Sequence, residues 1–330
     1  MAGGYVVIIC GMNTAENQTN PQVQWLEITE ANNEQRLDNF LITYLKGVPK
    51  TRIYRMVRKG EVRVNKGRID VSYKLQLGDI VRIPPVRVAE KKDQIIVQPT
   101  LKFSLENHIL YEDDGFIVLN KPAGFAVHGG SGVTSGVIEG LRQIRPQQKF
   151  LELVHRLDKE TSGCLLIAKK RSVLKLLHEL FRGDGIQKTY LALLVGQFQR
   201  KKQLVEVPLL KNVAQGGERM VVVSQAGKSA ETLFTRLKQF QDVTLVHAAP
   251  KTGRTHQIRV HAAWLGHPIV ADDRYGDDDI NKVFKKRGYK RLFLHAEQLQ
   301  FAHPASGALL HFTAPLPEDL QELLNHEKPL

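Results

Sequence analysis

In this 330-residue chain, three segments set charged side chains among apolar neighbours, an arrangement that packing alone does not require. Residues 153–163 read LVHRLDKETSG, 187–193 read QKTYLAL and 252–261 read TGRTHQIRVH. Asp158 stands on a loop that runs into an apolar strand, and a carboxylate drawn out of water is costly unless a cation meets it. Arg259, between Ile258 and Val260, is its natural bidentate partner, because a guanidinium fork matches both carboxylate oxygens. Taken alone, Asp158 and an arginine read equally well as a structural ion pair or as a functional one. A His-Arg-Leu-Asp loop together with a separate Tyr190 and a separate arginine-rich segment favours a reactive carboxylate with an aromatic partner. His155 reads as a support for that loop rather than as a proton carrier.

The elements that must position these groups are mostly strands. Strand-like runs occur at 116–119, 164–168, 190–195, 220–223 and 244–248, with helical patterns near 172–181 and 256–264. Residues 110–115 read as a turn feeding the first of these strands. Strands outnumber helices and do not alternate strictly with them, which predicts an α+β body with a mainly antiparallel mixed sheet rather than a doubly wound one. The usual cofactor signals are missing. Gly130-Ser131-Gly132 has Ser135 where a dinucleotide loop needs its third glycine, and no Walker loop is present. Val133 breaks a nucleophile elbow around Ser131. His256 and His261 lie five apart with no glutamate in a metalloprotease position, which argues against zinc. Asp272-Asp273 and Asp277-Asp278-Asp279 read as a solvated acidic loop in preference to a magnesium site.

Charge separates the chain into two parts. The formal net charge is +13, yet residues 36–88 alone hold 13 basic and 4 acidic residues, an excess of +9. Confinement to one block points to a nucleic-acid-binding module rather than a generally solubilising surface. Inside it, Leu37, Phe40, Leu41, Tyr44 and Leu45 mark one helical face, ended by Gly47-Val48-Pro49. A second short helix turns Ile53, Met56 and Val57 inward and Arg52, Arg55, Arg58 and Lys59 outward. Strand-like pieces follow at 62–64, 68–69 and 80–83, with a turn at Asn65-Lys66-Gly67. Such a cation array reads phosphate backbone and shape, which suits structured RNA. The short apolar stretch 5–10 and the absence of any apolar run of ~20 residues predict a cytoplasmic protein with no membrane span. The two cysteines, Cys10 and Cys164, suggest a reduced compartment.

Residues 36 to about 84 resemble the S-four type RNA-binding domain, through the helix-turn-helix, the Gly-Glu-Val-x-Val-Asn segment and the Gly-Asp turn in that order. The three chemistry-bearing segments, with LNKPAGFAVH at 119–128 and DDRYG at 272–276, resemble the large-subunit (RluA-type) pseudouridine synthases from about 110 to 315. The departures are mild: Lys159-Glu160 replaces a common Arg-Asp, and Cys164 a common Val or Leu. The resemblance implies isomerisation of specific uridines in 23S rRNA to pseudouridine: the C1′–N1 bond breaks, the uracil rotates, and C1′ rejoins through C5. It implies Asp158 as the catalytic carboxylate, either adding covalently to the nucleoside or taking a sugar proton to leave a glycal. Arg259 would pair with and orient Asp158. Tyr190 would stack on the uracil and assist proton removal from C5, and Arg156 would fill the helical gap left by the flipped uridine. No metal or organic cofactor is implied. The expected partner is 23S rRNA of the assembling large subunit, with no membrane and no small-molecule cofactor, and the chain is expected to be a monomer. The predicted layout is a tail at 1–24, the RNA-binding domain at 25–88, a linker at 89–104 and the catalytic domain at 105–330. A non-catalytic RNA-binding assembly factor and an RNA N-glycosidase remain the alternatives.

Overall fold

A computed structural model describes residues 22–45, 47–86, 105–129, 135–213 and 219–330. The apolar stretch at 5–10, most of the predicted tail, the predicted linker and the segment around Ser131 lie outside the described residues. The chain divides into two units, Met1–Lys92 and Asp93–Leu330.

In the first unit, β1 (Gln24–Glu27), α1 (Leu37–Tyr44), α2 (Lys50–Arg58), β2 (Arg63–Val64) and β3 (Ile80–Ile83) follow in order. The strands form an antiparallel sheet in the order β1-β3-β2. The two amphipathic helices bury Leu37, Phe40, Leu41, Ile53, Met56 and Val57 in one cluster with Val62, Val64 and Val81, so α2 must turn its cations outward. Two buried carboxylates tie the connections. Asp38 accepts from Arg36 Nε and Nη2 and from Tyr54, and the Arg36 hydrogen bonds hold it below the ordinary carboxylate range. Asp79 accepts from Asn65, Tyr73 and the Gln76 amide, pinning the turn in which Asn65 and Lys66 adopt left-handed backbone. The strand expected at 68–69 is absent: after Gly67 bridges back to Val64, no partner strand is left for it.

Among the described residues, the second unit is built on a ten-stranded mixed sheet. Its strands are β4 (Ile109–Glu112), β5 (Phe116–Lys121), β6 (Glu152–Leu153), β7 (Ser162–Ala168), β8 (Ile186–Val195), β9 (Lys202–Glu206), β12 (Glu231–Gln239), β13 (Val243–Pro250), β14 (Leu294–Ala302) and β15 (Leu309–Thr313). The main path runs β4-β5-β7-β14-β8-β13-β12-β9, with β15 on β14 and β6 on β7. A separate hairpin joins β10 (Leu209–Val213) to β11 (Arg219–Val223). Every pairing in the large sheet is antiparallel except β7 with β14. Residues 110–112, expected within a turn, belong to β4 instead, because the hairpin to β5 gives their backbone groups partners.

Helices α3 (Val137–Ile144), α4 (Arg171–Arg182), α5 (Gln257–Trp264), α6 (Asp278–Lys286) and α7 (Glu318–Asn325) complete this unit. Strands β5 and β7 are buried on both faces, which is why they read as apolar runs rather than alternations. Leu119, Leu165 and Ile167 pack with Val137 and Leu141 of α3, whereas Phe116, Leu166 and Ala168 pack with Leu177 of α4. At the parallel pair, Gly163 has φ +109° and a side chain there would strike the Ala296 backbone, so the chain leaving the Asp158 loop needs glycine. The neighbouring Ser162 hydroxyl donates to His295 Nδ1 at 2.9 Å, and His295 Nε2 donates to the Ala314 carbonyl at 3.1 Å. No helix among the described residues is long and apolar enough to cross a membrane.

Candidate active site

Asp158 lies on the loop between β6 and β7, and that loop is held from beneath by a buried cation. Lys121, at the end of β5, is fully buried and its Nζ donates to the carbonyls of Pro122, Phe125 and Lys159 at 2.8, 2.9 and 3.1 Å. Burial pushes its ammonium down to about 7, against the upward pull of Glu160 and Asp158. The Gly124 amide also donates to the Lys159 carbonyl. Leu157 is buried beside the reactive residue, while the Asp158 side chain keeps 29% of its exposure. The carboxylate is thereby fixed at its root and open at its tip.

Facing it is the first turn of α5. Arg259 Nη1 stands 3.6 Å from Asp158 Oδ2, and His256 Nε2 stands 3.8 Å from Oδ1. The expected bidentate bond goes elsewhere. Arg259 donates from Nε and Nη2 to Asp272 at 2.8 and 2.6 Å, and Asp272 has no side-chain exposure at all. The same carboxylate accepts the backbone amides of Arg274 and Tyr275. Asp272 is thus a buried clamp rather than part of a solvated acidic loop, and it leaves Arg259 one free edge to turn toward Asp158. Burial disfavours the Arg259 charge, but the Asp272 hydrogen bonds and the two carboxylate charges together raise its pKa. Farther along, Asp277 caps α6 by accepting the Asp279 and Ile280 amides. Among the described residues no group of three His, Cys, Asp or Glu side chains could hold a metal ion.

The α5 segment is positioned by polar side chains. Gln257 accepts from Thr252 and the Arg254 amide, and donates to the Glu231 carbonyl and Thr232. His261 Nε2 donates to the Val207 carbonyl and Nδ1 accepts from Thr232. His256 adopts left-handed backbone, φ 52°. The Tyr275 hydroxyl accepts the Val221 amide and donates to His256 Nδ1 at 2.7 Å, so His256 presents Nε2–H to Asp158. Burial lowers the pKa of His256 in spite of Asp158, which keeps the ring neutral. Neither His256 nor His261 is placed as a metal ligand.

Asp158, Arg156, Tyr190 and Arg259 line one cleft of about 820 Å³. His155 is part of the same wall. Its Nε2 accepts the Leu166 amide at 3.0 Å and its ring stacks on Phe181; burial, with the nearby Lys188 charge, pushes it down to about 3. Tyr190 sits on β8 where two hydrophobic clusters meet, and burial followed by the Asp158 charge raises its phenol. Among the described residues, six cationic side chains line this cleft against the single carboxylate of Asp158. Arg52, Arg55, Arg58 and Lys59 gather around a separate hollow in the first unit. Sequence reasoning missed Asp272, Tyr275 and Lys121 as parts of the site. The available signal was an acid directly after the apolar run Ile269-Val270-Ala271, and a lysine two positions beyond the apolar run 116–119.

Residues 115–264 match the family described as RNA pseudouridylate synthase, and residues 35–81 match the S4 domain. The chain is 56% identical over 310 residues to the Haemophilus influenzae protein named ribosomal large subunit pseudouridine synthase C, covering 94% of this chain and 96% of that one. The protein of the same name from Escherichia coli K12 is 55% identical over 307 residues, covering 92% and 96%. Among solved structures, human RNA pseudouridylate synthase domain containing 4 aligns with a TM-score of 0.57 at 29% identity, over 68% of this chain and 95% of that one. Human RNA pseudouridylate synthase domain containing 1 aligns with the same TM-score at 27% identity, over 67% and 88%.

Proposed function

Because the chain belongs to the RNA pseudouridylate synthase family and carries an S4 domain ahead of the synthase region, we propose that it isomerises specific uridines of 23S ribosomal RNA to pseudouridine. The observation that carries the site assignment is the meeting of Asp158, Arg259 and Tyr190 in one cation-lined cleft. The reaction breaks C1′–N1 and forms C1′–C5; N1 gains a proton and C5 loses one, so substrate and product have the same composition. Asp158, held at its root and open at its tip, is the group that attacks the nucleoside or takes a sugar proton. Arg259, immobilised by Asp272, orients the carboxylate and cannot swing away during the reaction. A desolvated wall around the detached uracil keeps water from capturing C1′.

Tyr190 offers the uracil an aromatic face. Its raised pKa means the phenol enters the reaction protonated, so its oxygen accepts the C5 proton only as it passes its own proton on. Arg156, exposed beside Asp158, is placed to occupy the stack vacated by the flipped base. Arg52, Arg55, Arg58 and Lys59 supply backbone affinity in the first unit, and His155 supports the loop. We place the enzyme in the cytoplasm, acting as a monomer on rRNA of the assembling subunit.

The test is tritium release from C5 of a uridine-labelled 23S rRNA transcript by purified protein without added metal, alongside Asp158→Ala. Release by the wild type alone is expected. Free uracil and abasic RNA would replace this reading with an N-glycosidase. Tight binding with no release from either protein would favour the assembly factor.

A further inference from the structure

On β8, Lys188 lies two residues before Tyr190 and therefore on the same face of the strand; both line the cleft that contains Asp158. Lys188 is half-buried, yet among the described residues its ammonium makes no hydrogen bond and no ion pair. The ammonium lies over the Phe181 ring, 5.7 Å from Nζ to the centroid, near the outer limit of about 6 Å for a cation–π attraction. Burial lowers its pKa, and Asp184 opposes that only from a distance.

The other cations of the same wall are engaged. Arg259 is held by Asp272, Lys251 by Glu231, Arg254 Nε by the Ser229 carbonyl and Arg182 Nε by the His178 carbonyl. Arg156, the exception, is exposed. Among the described residues of this wall, Lys188 alone is drawn out of water with neither an anion nor a carbonyl to meet it, which is unfavourable for the free protein. A lysine kept at that cost beside the reactive groups awaits an anion carried by the substrate. Uracil is neutral and ribose is neutral; the charge that accompanies a uridine into the cleft is its phosphodiester.

We propose that Lys188 binds the phosphodiester adjoining the uridine seated between Asp158 and Tyr190, and so anchors the flipped nucleotide by its backbone. This inference rests on the reading of the cleft as the uridine site. A compact ammonium with three donors suits a phosphate whose approach angle changes as the sugar moves, better than a rigid guanidinium fork does.

The test compares wild type, Lys188→Met and Lys188→Arg on the 23S rRNA transcript, by tritium release and by direct RNA binding between 50 and 200 mM salt. Loss of one charged hydrogen-bonded contact should lower kcat/KM and affinity of Lys188→Met by roughly ten- to a hundredfold at low salt. Its plot of log affinity against log salt should be shallower by ~0.7–0.9, one phosphate contact fewer. Lys188→Arg should recover most of the affinity and the full slope. The melting temperature of Lys188→Met should stay level or rise, because an unpaired buried charge has been removed. An unchanged salt slope in Lys188→Met, or a lower melting temperature with unchanged affinity, would overturn the phosphate contact and leave a structural lysine. If the wild type releases no tritium the isomerase reading fails by itself, and the binding slopes still decide whether Lys188 meets phosphate.

Discussion

The two units use the same cationic side chains in opposite ways. On α2 and its C-terminal cap, Arg55, Arg58 and Lys59 are exposed, and Arg52 stands 3.9 Å from Glu61. Charges in that setting are each worth little to stability, are screened by salt, and remain free to follow a flexible backbone. In the second unit Arg259 is 11% exposed and is clamped by an Asp272 with none. Its orientation is fixed before any substrate arrives. The first arrangement supplies affinity with little geometry; the second supplies geometry at the reacting atoms with little net affinity. The difference lies in what surrounds each cation rather than in residue type.

The comparison breaks most sharply at Asp158. Asp158→Asn keeps the shape of the side chain and removes its charge, so turnover should fall at least about 10³-fold, while RNA affinity, set by the cation arrays, should stay within about twofold. Single-turnover tritium release and a binding titration read the two quantities. Residual wild-type turnover would remove Asp158 from the chemistry.

Asp272→Ala attacks the clamp instead. Removing one partner of a buried ion pair strands the other, at about 3–5 kcal/mol, and would lower the melting temperature of the second unit by roughly 10 °C. Turnover should fall because Arg259 loses its fixed orientation. A melting temperature within 2–3 °C of the wild type, roughly the effect of 1 kcal/mol, would mean that Arg259 finds another partner. Arg52→Ala, by contrast, should leave melting almost unchanged.

The sequence exposed the outward-facing array more completely than the clamp, for a physical reason. The helices of the first unit are amphipathic, so spacing alone tells which residues point outward: Ile53, Met56 and Val57 are buried as the pattern predicts, and Arg55 and Arg58 are exposed. The segments carrying Asp158, Tyr190 and Arg259 were legible too, because charges among apolar residues stand out. The partnership among them was not. Arg259 bonds Asp272, 13 positions on, through a turn whose acid looks solvated in sequence and is buried only because α6 and the Tyr275 turn close over it. Lys121 was hidden likewise, since its three acceptors are carbonyls, which sequence pattern does not mark. Strands β9, β12 and β14 also escaped notice; their polar positions interrupt the alternation that would have announced them.

Acid should separate the two units. All twelve histidines lie in the second unit, and none in the first. His155 and His295 are pushed by burial to about 3 and about 4, while in an unfolded chain each would titrate near ~6.5. Between those limits the unfolded state binds more protons than the native state, so stability falls as pH falls from ~6.5 toward 4, by up to about 1.4 kcal/mol per pH unit for each histidine. Asp38 in the first unit, held low by Arg36, loses its contribution only below ~4. The two tryptophans, Trp25 and Trp264, fall one in each unit, so Trp→Phe variants give each unit its own fluorescence signal. Trp264 emission should report unfolding at pH 4.5–5.5 at lower temperature than Trp25 emission. Coincident transitions at every pH would mean that the buried histidines do not control the acid limb.

The smallest effect belongs to the exposed array. Arg52 and Arg55 each contribute one screened phosphate contact, so the double Arg52→Ala, Arg55→Ala variant should raise KM for the transcript by roughly tenfold at 50 mM salt and leave kcat unchanged. The slope of log affinity against log salt should become shallower by ~1.5, and the two proteins should converge as salt approaches 200 mM. This distinguishes the two regions by kinetic signature: an array that only gathers RNA moves KM, whereas a clamp that aims the carboxylate moves kcat. A fall in kcat at saturating RNA in the double variant would show that the first unit also helps to set the uridine in the cleft. The separation of affinity from geometry would then not hold.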